Sequence, residues 1–145
     1  MSGFSPIYDA VRIGNLIPQR APIVLVDALL DFSAQALMSS FTPSDRTIFS
    51  KDGKFTEPGI VEHMAQSVAL HTGYAYFLKG IPSPTGYIGS INRCEIFALP
   101  STNAPLTSEV RILQEFGGIT LVEIDTHSNG VRIASAQMKT VIVND

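Results

Sequence analysis

The segment from about residue 57 to 79, EPGIVEHMAQSVALHTGYAYFLK, limits the fold more than any other part of the chain. It reads as one long helix. Thr56 suits the N-cap and Pro58 the first turn. Lys79 lies at the C-terminal end, Gly80 can close it, and the Pro-rich IPSPTG (81–86) stops it. Ile60, Val61, Met64, Val68, Leu70, Tyr74 and Phe77 point all round the axis. A helix that is apolar on every side has to be buried on every side. One antiparallel sheet curled around one central helix would achieve that. Ala65, Ala69 and Gly73 fall near one stripe, where small residues permit close backbone approach.

The rest of the chain supplies such a sheet. YDAVRIGNLIP fits a short helix ended by Pro18, and 23–32 and 35–42 fit an antiparallel pair of strands. Residues 43–54 fit a loop. Four further strands are expected at 87–99, 106–116, 119–127 and 131–143, with tight turns at Gly117–Gly118 and Asn129–Gly130. Short turns between consecutive strands imply antiparallel pairing. The expected fold is α+β: one domain over 1–145, with five to six strands around one helix. A cone-shaped α+β barrel would need more helix ahead of the sheet.

Composition narrows the function. Hydrophobic residues make up 45% and charged residues 16%, which excludes disorder and leaves little charge to cover a monomer. A homo-oligomer is therefore expected. The net charge is −3 with no basic run, which argues against nucleic-acid binding. One cysteine, Cys94, excludes an internal disulfide framework and fits a reducing, cytoplasmic setting. In mid-strand it is expected to be a small buried residue. No secretory signal and no membrane-spanning run are expected. Three scattered histidines and no paired acids give no metal site, and no cofactor is expected.

The polar residues at the start of the helix carry the chemistry. An unpartnered buried carboxylate is costly. Glu62 and Gln66 are four apart, share a face and can touch. His63 lies about 100° further round and does not share that face. Glu62 has two readings. It either faces water in the first turns, favoured by the helix dipole, or sits in an apolar cleft as an acid or base.

Several strings resemble the 3-hydroxyacyl-acyl-carrier-protein dehydratase family of the hotdog fold. IPQRAPIVLVDALLDF (17–32) is similar to that family's Leu-Pro-His-Arg-Tyr-Pro opening with its apolar run and Asp. PGIVEHMAQS (58–67) is similar to its Pro-Gly…Glu-Ala-Met-Ala-Gln helix start. GYIGSINRCEIFALP (86–100) is similar to the strand that follows. The resemblance spans nearly the whole chain, and the Glu-x-Met-Ala-Gln element is its most specific part. It implies a helix wrapped by a sheet, and a dimer with active sites between protomers. The substrate would be an acyl thioester of acyl-carrier protein or coenzyme A. Glu62 matches the catalytic carboxylate, with Gln66 to orient it. A backbone N–H near Gly59 would polarise the thioester carbonyl. Met64 and Gly89, from the matched strings, complete the expected substrate-binding set.

The chain departs from that family where the second catalytic group should lie. The family's His stands in a Gly-His-Phe-Pro string before the helix; here the region reads IFSKDGKFTEPG. Gln19 stands where the opening string has another His. His63 could replace the missing group across a dimer, or be a packed, hydrogen-bonded histidine. Three readings follow: an atypical dehydratase of fatty-acid or polyketide-type synthesis, a hotdog thioesterase relying on the helix carboxylate, or a non-catalytic acyl-thioester binder that serves as partner subunit to an active hotdog protein.

Overall fold

The long helix is bracketed much as its sequence suggests. In the computed structural model, which describes residues 3–143, it is α2 (Glu57–Leu78), preceded by α1 (Ala10–Gly14). Thr56 occupies the N-cap, but its hydroxyl donates to the Phe49 carbonyl at 2.5 Å instead of capping the helix. Pro58 sits in the first turn, and Gly80 leaves the helix at φ +70°, a conformation that favours glycine.

Strands β1 (Ala28–Ser33), β2 (Ala36–Phe41), β5 (Thr85–Ile96), β6 (Leu106–Phe116), β7 (Ile119–Ser128) and β8 (Val131–Val143) form one six-stranded antiparallel sheet. Its order is β1-β2-β6-β7-β8-β5. The two-residue strands β3 (Ser50–Lys51) and β4 (Lys54–Phe55) make a small hairpin before α2. At the β6–β7 turn, Gly117 and Gly118 take φ +59° and +80°; at the β7–β8 turn, Asn129 and Gly130 take +51° and +77°. Two successive left-handed residues match the right-handed twist of the strands they join. The core lies between sheet and helix, where Leu29, Leu37, Ile60, Met64, Leu70, Val110, Ile124 and Met138 are buried. No helix among the described residues is long and apolar enough to cross a membrane.

Four expectations change. The first strand begins at Ala28, not at residue 23. The Leu25 backbone is hydrogen-bonded by helix side chains and so does not join the ladder. The last four strands are not a simple meander: residues 97–105 carry the chain across, and β5 pairs with β8, from Thr85↔Val143 to Ile96↔Ala134. That places β5 at a free edge, so Cys94 is exposed instead of buried. Finally, α2 is not covered all round. Glu62, Ala65, Ala69 and Thr72, spaced three or four apart, are only half-buried. Of the small-residue stripe, Gly73 alone makes the close approach: a Cβ there would lie 1.8 Å from the Leu16 carbonyl oxygen.

Candidate functional site

The half-buried stripe of α2 forms one wall of a cavity of about 480 Å³. Residues 15–19 form a second wall, and residues 83–88 with the end of β8 form a third. Small side chains at Ala65 and Ala69 leave the space open along the helix. Glu62 lies in this cavity and is the one carboxylate lining it among the described residues. Gln19 and Tyr87 add polar atoms to the walls.

Gln66 is buried behind Glu62 and fixed from three directions. Its Oε1 accepts from the Leu25 backbone N–H at 2.7 Å. Its Nε2 donates to the Ile23 carbonyl at 2.6 Å and to Glu62 Oε1 at 3.1 Å. The expected pairing of Glu62 with Gln66 is therefore present in the geometry. It leaves Glu62 Oε2 outside the hydrogen bond from Gln66.

His63 is fully buried and points away from the cavity. Its Nδ1 lies 2.7 Å from the Leu25 carbonyl oxygen and its Nε2 2.9 Å from Ser108 Oγ, which is 2.7 Å from Thr126 Oγ1. A carbonyl only accepts, so Nδ1 carries the proton and Nε2 accepts from the serine hydroxyl. Desolvation pushes the imidazole down to about 4, against a partial opposing pull from the bond to Leu25. It is neutral at physiological pH. His71 is likewise shifted down, mainly by burial; its Nε2 is 2.9 Å from the Ser33 carbonyl oxygen and its ring stacks on Phe32. His127 stands on the outer face of β7, in step with Glu123 and Asp125. No histidine reaches the Glu62 cavity among the described residues.

The other expected site positions lie elsewhere. Gly59 is buried against Phe55, where an added Cβ would come within 2.5 Å of the ring. Met64 points into the core. Gly89 lies on β5 at an irregularity in its register with β8, next to Ile88 of the cavity wall. Ser108 and Thr126 escaped the sequence reading. The available signal was that each fills an inward slot next to an apolar one, Val110 in β6 and Ile124 in β7.

A family profile described as ApeP dehydratase matches residues 11–145. The chain belongs to the ApeP-like dehydratase family. Among solved structures, this ApeP-like chain resembles the dehydratase heterocomplex ApeI:P from Xenorhabdus doucetiae. The TM-score is 0.83 at 16% identity, covering 92% of this chain and 91% of that one. It also resembles a hypothetical thioesterase bound to coenzyme A from Streptococcus pneumoniae (TM-score 0.66, 8% identity, 81% and 85% covered). A third likeness is to the PaaI protein of Escherichia coli (TM-score 0.62, 8% identity, 78% and 80% covered). At these identities the likenesses establish the hotdog fold. Comparison by sequence with curated proteins gives no match.

Proposed function

We propose that this chain is the carboxylate-bearing subunit of a dehydratase that acts on 3-hydroxyacyl thioesters of acyl-carrier protein in the cytoplasm. The observation that carries this reading is the placement of Glu62. Among the described residues it is the single carboxylate of a cavity with mixed polar and apolar walls, held through one oxygen by a buried glutamine. Dehydration needs two groups. A base takes the proton from C2, the C2=C3 double bond forms, and an acid protonates the departing C3 hydroxyl, which leaves as water. Glu62 is the acid. The acyl chain would lie along the small side chains of the Ala65–Ala69 stripe, against Val68.

The base comes from another chain. His63 and His71 are buried and engaged by backbone carbonyls, and His127 is on the far face of the sheet. The loop before α2 contains no histidine. A second copy of this chain would bring the same three histidines in the same places. The favoured partner is thus a different hotdog protein that carries a histidine, docked along β5. That edge is long and exposes Tyr87 and Ile88 at the cavity wall and Ile91 further along the strand. Unpaired apolar edge strands are normally covered.

A lone carboxylate in a cavity is also enough to activate water against a thioester, which keeps hydrolysis as the second reading. Mass spectrometry of 3-hydroxyacyl and saturated acyl thioesters on carrier protein separates the two. The chain would be incubated alone and with a histidine-bearing hotdog partner. Loss of one water only in the mixture, reduced at least ~100-fold by Glu62→Gln, is the expected result. Release of free carrier thiol by the chain alone would replace this reading with hydrolysis. Full dehydration by a Glu62→Gln mixture would refute it.

A further inference from the structure

We infer that His63 is a positioning residue: it clamps Leu25 so that Gln66 is held with its amide N–H directed at Glu62. This deepens the reading proposed above and rests on it for its catalytic consequence. The geometric part stands by itself.

Residues 23–25 run past α2 without a strand partner, so their backbone groups have to be satisfied in another way. Two helix side chains do this. Gln66 takes the Ile23 carbonyl and the Leu25 N–H, while His63 takes the Leu25 carbonyl. Leu25 is therefore held on both sides of its backbone by side chains one helical turn apart, at positions 63 and 66.

The clamp also fixes orientation. The Leu25 N–H only donates, so the Gln66 oxygen has to face it. The Gln66 amino group then faces Ile23 and Glu62, and rotating the carboxamide by half a turn would set donor against donor. If the Leu25 backbone shifted, the oxygen anchor would be lost and the amide could turn away from Glu62. His63 prevents that shift. Its ring is itself aligned by Ser108, whose hydroxyl donates to Nε2 and accepts from Thr126. The bond directions form one consistent chain, from Thr126 through Ser108 and His63 to the Leu25 carbonyl. Burial keeps the imidazole neutral, which this chain requires, because an imidazolium could not accept from Ser108.

The chain separates variants that a mere space-filling role would not. Asparagine places an amide N–H near the position of Nδ1 and can keep the bond to Leu25. Glutamine reaches toward Ser108 and abandons Leu25. We expect the Gln66 side-chain amide hydrogens, followed by NMR, to stay protected from exchange in His63→Asn. They should exchange at least tenfold faster in His63→Gln. Ser108→Ala, which removes the ring's second anchor but leaves the Leu25 bond in place, should speed that exchange by much less than His63→Gln does. In the active mixture, His63→Gln should lower kcat about tenfold with KM within twofold, and His63→Asn should restore most of kcat. Combining His63→Gln with Gln66→Leu should cost no more kcat than Gln66→Leu alone. Equal Gln66 protection in all folded variants overturns the inference. So does a Ser108→Ala loss as large as that of His63→Gln. If His63→Gln leaves kcat untouched while Glu62→Gln removes it, the positioning role fails and the dehydratase reading survives. If Glu62→Gln leaves kcat untouched, the dehydratase reading fails, and the exchange data still decide the clamp.

Discussion

A methyl group at Gly73 would stand 1.8 Å from a backbone oxygen of Leu16, and a backbone cannot swing aside as a side chain can. Alanine in mid-helix normally gains about 1 kcal/mol over glycine. Here overpacking costs about 3 kcal/mol and wins. Gly73→Ala should therefore lower the urea midpoint, whereas the same change at an exposed helical glycine would raise it. His63 has a different signature. It ionises near 6.5 when unfolded and near 4 when folded. Between those values the unfolded chain binds more protons, so stability falls as pH drops through that window. The loss approaches a magnitude on the order of 3 kcal/mol. His71 is displaced in the same direction. Urea unfolding at pH 7 and pH 5, above most carboxylate titration, should show the drop, and His63→Asn should flatten it. A midpoint that ignores pH would contradict the buried neutral imidazole.

Helix α2 combines two faces that its sequence does not separate. Most of its circumference enters the core, but the Glu62–Ala65–Ala69–Thr72 stripe borders the cavity. Ala69→Phe should fill the cavity and abolish turnover of long acyl thioesters by at least tenfold, while the melting temperature stays within a few degrees. A variant that keeps full long-chain turnover would show that the acyl chain lies elsewhere. The existence and limits of this helix were legible because Pro58 and Gly80 are local signals, although the Thr56 side chain does not cap it. The Gly117–Gly118 and Asn129–Gly130 turns were legible for the same reason. The pairing of β5 with β8 was not, since register between distant strands depends on which apolar face the whole sheet turns inward. The exposure of Cys94 followed from that pairing and was hidden with it. The Glu62–Gln66 contact could be read from a four-residue spacing. The role of His63 could not, because its partners Leu25 and Ser108 are 38 and 45 residues away.

For the molecule as a whole, the outer sheet face and the β5 edge behave differently. Outside, Arg111 pairs with Glu123 at 2.8 Å and Asp125 at 2.6 Å, and Arg93 reaches Glu123 at 3.5 Å. That face is charged and self-satisfied. The β5 edge presents Tyr87, Ile88 and Ile91, with Phe97 exposed just beyond its end. Ile91→Lys should leave the fold intact and lower the sedimentation coefficient of the assembled species. No change in assembly would place the interface on another surface.

The order of the strands also sets a timetable. β5 follows α2 directly in the chain, yet its partner begins only at Val131. At synthesis rates of about 5–20 residues per second, a nascent chain holds β5 unmated for seconds. During that interval both edges of an apolar strand stand open on the ribosome. β2 also waits for β6, but with β1 already beside it; β5 alone waits with no neighbour at all, and it is the strand proposed above to meet a neighbour outside the chain. A partner already present in the cell would meet that edge before the sheet has closed, so the order of translation and the choice of partner become one problem.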